Sequence, residues 1–164
     1  RIAVTLEHFS ARAGGAEAFA VTVLSALRDR GHDVTVYAVD GDDLAGVALV
    51  RGALADMALW GAEGGADLTL DWGLNCAARL HRLGGGTHRE FLRIALQAVP
   101  PARRWVKRAI YALSPRHRRV ARCEQGLLQL PGTHVLAVSH FVASQVGRTV
   151  HLAPECLHVL HNGV

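Results

Sequence analysis

Three stretches of this sequence hold residue types that could do chemistry. The first is Gly14-Gly15-Ala16-Glu17. Paired glycines let a ligand approach the backbone closely, and a helix starting there offers free N–H groups with a partial positive charge. A phosphate or a sugar hydroxyl suits such a place, and so does a helix cap with no ligand at all. The order is not G-x-G-x-x-G, so the dinucleotide fingerprint is missing. Asp40 is placed as a ribose-binding acid would be, but lacks the glycines that go with it.

The second stretch runs over residues 79–90. It reads as a strand, the hinge Gly84-Gly85-Gly86, and then His88, Arg89 and Glu90. His88 could donate a hydrogen bond or carry a proton near neutral pH; it could equally be a loop histidine in water. His81 adds a second imidazole but, on a strand, simple packing is the plainer alternative. The two histidines do not have a metal-ligand spacing and no third ligand stands near, so no metal is expected. The third stretch is Ala137-Val138-Ser139, followed after a helix by His161-Asn162-Gly163-Val164.

These residues need a frame, and the hydrophobic pattern supplies one. Residues 2–6 form an apolar run suited to a buried strand. Ala16, Phe19, Ala20, Val23, Leu24 and Leu27 recur at helical spacing, and Gly31 stands where a helix stop wants a left-handed residue. Residues 34–39 make a second strand, completing a βαβ unit whose crossover should be right-handed. Further strands are expected at 47–50, 67–71, 79–83, 134–138 and 157–160, with a helix over 53–60 and a loop at 61–65. Two basic helices fill the gap before residue 134. Ser114-Pro115 divides them, with Ser as cap and Pro at the first position. In the second, Val120, Cys123 and Leu127 line the apolar face. Seven strands alternating with helices imply an α/β, Rossmann-like, doubly wound and mostly parallel sheet.

Composition narrows the class. The 164 residues suit one domain, and half of them are apolar, ample for a packed core. A formal net charge of +4 is low for a nucleic-acid binder, so no nucleic acid is expected. Cys76, Cys123 and Cys156 are odd in number, far apart and without a CxxC pair, which reads as reduced thiols. No apolar run reaches the roughly 18 residues a bilayer span needs, and a strand begins at once, with no signal peptide in view. A cytoplasmic location is the expectation.

The charge is unevenly spread. Eight of the eighteen Lys and Arg residues lie from Arg103 to Arg122, and no acidic residue falls between Glu90 and Glu124. Arg103, Arg104, Lys107 and Arg108 form one stripe, while Val106, Ala109, Ile110 and Leu113 form another. Trp105 and Tyr111 stand among the charges, as at a water–lipid boundary. Two readings stay open: docking on an anionic membrane from its inner face, or a solvated face whose apolar stripe packs on the sheet.

The order Gly-Gly-Ala-Glu, Arg30-Gly31-His32-Asp33-Val34-Thr35-Val36, Ala137-Val138-Ser139 and Asn162-Gly163-Val164 resembles family 4 glycosyltransferases over almost the whole chain. The run from His81 to Leu92, followed by a basic helix pair containing Ser-Pro-Arg-His, is most similar to the lipopolysaccharide-core glucosyltransferase branch. The resemblance implies that residues 1–164 are a single N-terminal, acceptor-side domain of a GT-B fold, with the nucleotide-sugar-binding domain absent from this chain. It implies a retaining hexosyltransferase that moves sugar from a UDP- or GDP-sugar to a glycan or lipid-linked acceptor of the cell envelope, without cofactor or metal. On that resemblance Gly14, Gly15 and Glu17 form the donor-binding loop. His81, Gly84, Gly85, Gly86 and Arg89 face the acceptor, and His88 is the catalytic candidate. Arg103, Arg104, Lys107 and Arg108 face the membrane, and His32 belongs to a structural turn. The rival readings are a nucleotide-sugar epimerase of the same fold, for which no convincing carboxylate pair stands out, and a non-catalytic ligand-binding domain. A nicotinamide-dependent oxidoreductase is more distant still, for want of the fingerprint.

Overall fold

The computed structural model describes residues 1–53, 56 and 65–162. Among them seven strands form one sheet: β1 (Ile2–Phe9), β2 (Val34–Gly41), β3 (Ala48–Arg51), β4 (Leu68–Asp71), β5 (Leu80–Leu83), β6 (His134–Ala137) and β7 (Leu157–Val159). Their order is β3-β2-β1-β4-β5-β6-β7, and every pair is parallel. Five α-helices accompany them: α1 (Gly15–Asp29), α2 (His88–Gln97), α3 (Pro101–Leu113), α4 (Pro115–Leu128) and α5 (His140–Thr149). This is the Rossmann-like α/β sheet that the alternation of apolar runs predicts.

The core falls into two clusters. One joins β1 and β2 to Ala20 and Leu24 of α1, around Val4, Leu6, Phe9, Val34 and Val36. The other joins β5 and β6 to Leu128 of α4 and to Val142 and Val146 of α5. Each such Val or Leu taken fully out of water contributes about 1.5–3 kcal/mol. Gly31, at φ 84°, turns the chain out of α1. The His32 backbone closes that turn, its N–H donating to Leu27 O at 3.2 Å, while its side chain is exposed.

Several boundaries differ from the sequence reading. β1 runs on to Phe9 because Phe9 is buried and the ladder continues through His8↔Asp40 and Phe9↔Gly41. β2 likewise runs two residues past the expected 34–39, taking in Asp40 and Gly41. Residues 88–97 form helix α2, where the sequence showed a polar site beside a hinge. All of the helix expected over 53–60 except Ala53 and Asp56, all of the loop at 61–65 except Gly65, and Gly163 and Val164 lie outside the described residues.

The basic helices also sit otherwise than one reading had it. α3 buries none of its residues and packs on α2 and α4, so its apolar stripe does not cover the sheet. Trp105, Ile110 and Leu113 are 72%, 56% and 68% exposed. On α4, Leu128 is buried while Cys123 is exposed, so Cys123 is not part of the apolar face. Ser114 caps α4 as expected, accepting from the His117 N–H at 3.5 Å, and Ser139 caps α5, accepting from Val142 N–H at 3.2 Å.

Candidate functional site

In an all-parallel sheet every strand exits on the same edge, and ligands of open α/β sheets bind beyond that edge, where the strand order reverses. Here the reversal lies between β1 and β4. The exit of β1 leads through residues 10–14 to α1. Ser10 Oγ donates to Asp42 Oδ2 at 2.6 Å and ties this loop to the exit of β2. Gly14 is extended and gives α1 no side-chain cap. The Glu17 carboxylate folds back instead, so that a side chain at Gly14 would meet Glu17 Oε2 at 2.6 Å. Around a Cβ at Gly15 nothing lies within 4 Å, leaving its backbone open.

At the exit of β4 the crevice is partly filled. Trp72 Nε1 donates to Ala16 O at 3.2 Å, laying the indole against the first turn of α1, with Phe19 beside it at 6.0 Å. Below it lies a buried polar knot. Asp71 accepts from Thr5 Oγ1 at 2.8 Å, from the Asn75 N–H at 3.0 Å and from Asn75 Nδ2 at 3.2 Å. His81 Nδ1 completes the set at 3.1 Å from Asp71 Oδ2, so this nitrogen carries the proton. His81 Nε2 is buried with no partner among the described residues. Cys76 lies 3.2 Å from Thr5 Oγ1, and burial pushes its thiol up to about 11. His81, expected on the acceptor-side loop, is thus a fully buried core residue of β5 and presents no surface to a ligand.

Its neighbour Arg82 was not singled out by the sequence reading. It is 3% exposed, with its guanidinium carbon 4.4 Å from the centre of the Trp72 ring system and 5.1 Å from that of Phe19. Arg82 Nη2 donates to Asn162 Oδ1 at 2.8 Å, so the chain leaving β7 is held to the floor of the crevice. Burial lowers its pKa, and the charge of Glu17 opposes that. A signal was available: a central parallel strand should read as a continuous apolar run, and β5 carries His-Arg between two leucines.

The triple glycine follows. Gly84 and Gly85 are exposed, and Gly85 has no neighbour within 4 Å of a Cβ position. Gly86 has another role, since a Cβ there would overlap the Gln145 side chain of α5. It is a close-packing residue rather than a ligand-facing one. The N-terminus of α2 is capped by α4, with Glu124 Oε2 accepting from the His88 N–H at 2.7 Å. Burial raises the Glu124 pKa, and that hydrogen bond opposes it.

The His88 ring is engaged with α4, its Nε2 lying 2.9 Å from His117 Nδ1, so the pair shares a proton between them. Tyr111 meets His117 edge-on at 5.2 Å. Burial, then His117 and Arg116, hold the His88 pKa below its ordinary 6.5. Arg89 is exposed on α2.

Between α2, α3 and α4 opens a cavity of about 1090 Å³. Arg89, Arg93, Arg104, Arg108, Arg118 and Arg122 stand around it, against walls that include Leu92, Leu96, Trp105 and Tyr111. Arg93 pairs with Glu90 at 2.9 Å, and none of the other five arginines has a carboxylate within 4 Å among the described residues. Arg103 and Lys107 lie on the exposed surface of α3, with Lys107 Nζ 5.5 Å from the Tyr111 ring centre. Among the described residues no three His, Cys, Asp or Glu side chains gather as a metal site would need, and no helix is long and apolar enough to cross a membrane.

No family model matches the chain, and no curated protein does. Among solved structures, it is similar to a crystal structure of WaaG, a glycosyltransferase involved in lipopolysaccharide biosynthesis. The TM-score is 0.78 at 18% identity, over 98% of this chain and 44% of that one. The chain therefore spans less than half the length of that protein. What the likeness carries is the fold alone, a Rossmann-like α/β domain.

Proposed function

We propose that the chain is the N-terminal, acceptor-side domain of a retaining GT-B glycosyltransferase that moves a hexose from a UDP- or GDP-sugar to a glycan or lipid-linked acceptor of the cell envelope. The observation that carries this reading is the open glycine backbone at two strand exits on one sheet edge, Gly15 and Gly84-Gly85, near the reversal of strand order. A nucleotide-sugar needs such close backbone approach at its phosphates and sugar. The likeness to WaaG supports it at the level of fold.

In this reading the loop of Gly14, Gly15 and Glu17 covers the donor. Gly84, Gly85 and Arg89 border the acceptor. His88 acts through its shared proton with His117, which lines the arginine-rich cavity. The exposed apolar residues of α3 and the charges of Arg103, Arg104, Lys107 and Arg108 bring the domain to an anionic membrane, where a lipid-linked acceptor would lie.

The test is Gly15→Val in the full-length protein. Nothing surrounds Gly15, so the fold should tolerate the side chain, while the donor should not. Transfer of labelled hexose from nucleotide-sugar to envelope lipid should fall about 100-fold or more with the melting temperature nearly unchanged. Full activity in that variant would reduce the Gly-Gly loop to a helix start and remove the main support for the reading.

A further inference from the structure

We propose that Arg82 is the floor of a phosphate-binding subsite at the C-terminal edge of the sheet, entered between Gly15 and Gly84. The inference rests on the glycosyl-transfer reading for its biological ligand, but its chemistry stands on the residues themselves. The guanidinium packs against Trp72 and Phe19, and the residue is almost completely buried. An arginine cannot shed its proton to escape burial, so the charge stays. Proteins ordinarily match a buried charge with an opposite one. Here the hydrogen-bond partner is the neutral amide of Asn162, and among the described residues no carboxylate lies within 4 Å of the guanidinium. Glu17 acts on it from farther away, its carboxylate folded over Gly14.

The space beside this cation is open. Arg82 Nη1 lies 3.5 Å from where a Gly84 side chain would begin, and apart from Gly84 and its two chain neighbours no other heavy atom comes within 4 Å of that point. A ligand oxygen there would touch the guanidinium. The surroundings of Gly15 are equally open. Contact with the two rings and the hydrogen bond to Asn162 hold the guanidinium in place, and phosphate is an anion that suits its several N–H donors. The phosphate is either the donor's diphosphate or a phosphate group on the acceptor. In both cases the charge of Glu17 acts on Arg82 and competes with the incoming anion.

The test uses the full-length protein and inorganic pyrophosphate, with binding followed by calorimetry. Asn162→Asp is the informative variant. It places a carboxylate where the amide now meets Nη2, neutralising Arg82 without removing it, at an exposed position that should not threaten folding. Pyrophosphate affinity should fall at least tenfold in Asn162→Asp and in Arg82→Met, and should hold or rise in Glu17→Gln. Wild-type affinity in Asn162→Asp, or weaker binding in Glu17→Gln, overturns the proposal. A KM that rises for the nucleotide-sugar in Asn162→Asp assigns the subsite to the donor. A rise confined to a phosphorylated acceptor assigns it to the acceptor. Pyrophosphate binding through Arg82 without any sugar transfer would keep the subsite and sink the glycosyl-transfer reading. Transfer with both KM values and pyrophosphate affinity unchanged in Asn162→Asp would do the reverse.

Discussion

Asp71 shows how much a single side chain can hold here. It is fully buried and accepts from Thr5, from the backbone and side chain of Asn75, and from His81. Removing it leaves buried donors with nothing to meet, and each such loss costs about 1–3 kcal/mol. Asp71→Ala should therefore lower stability by about 3 kcal/mol or more, read from urea denaturation; a loss under about 1 kcal/mol would mean that water replaces the carboxylate. His88 governs a pH effect instead. Its pKa in the folded chain lies below the ordinary 6.5, so on acidification the unfolded chain takes up the proton first. The His88 contribution is full above that ordinary value and is lost as pH falls below it. Glu124, raised above its ordinary 4.5, works oppositely: its contribution is present at lower pH and is lost as pH rises through the raised value. Melting temperature should fall between about pH 7.5 and 6, and His88→Gln should flatten that slope. An unchanged slope in the variant would place the titration elsewhere.

At the scale of elements, α3 is the helix whose surface the fold leaves unused. Its sequence is amphipathic, yet it touches only its neighbouring helices α2 and α4 among the larger contacts, and Trp105 stands 72% exposed. An exposed apolar stripe flanked by basic residues suits the interface of an anionic leaflet, where each Lys or Arg contributes about 1 kcal/mol. Co-sedimentation with liposomes should rise with anionic lipid and fall with salt. Replacing Arg103, Arg104, Lys107 and Arg108 with Gln should abolish it. Trp105→Ser should weaken it while changing stability by less than about 0.5 kcal/mol. Equal behaviour on neutral and anionic liposomes at low salt would make α3 ordinary surface.

At the scale of the whole molecule, the proposed function makes the exit edge of the sheet one wall of a cleft. Gly14, Gly15, Arg82 and Gly84 form a floor and rim, with no opposing surface among the described residues. Stabilising a departing diphosphate takes groups placed around it, and that electrostatic term is commonly the largest in such catalysis. On the proposed two-domain reading, the 164-residue chain by itself should therefore transfer no sugar, measured with labelled UDP- and GDP-hexoses. Transfer by the isolated chain would sink the two-domain reading.

The alternation of apolar runs determined the α/β class, the strand count and the βαβ opening, because burial on both faces of a parallel sheet demands continuous apolar strands. Gly31, Ser114 and Ser139 marked helix ends because their roles depend on local backbone geometry. The open Gly15 and Gly84 were legible for the same reason. Only the tertiary structure separated His81, locked to Asp71 in the core, from His88, turned to His117 on another helix. It alone brought Trp72, Arg82 and Asn162 together, and it gave Gly86 to packing against Gln145. Such partners lie ten to eighty residues apart in the chain. Strand order, which no local pattern encodes, decides which of them meet.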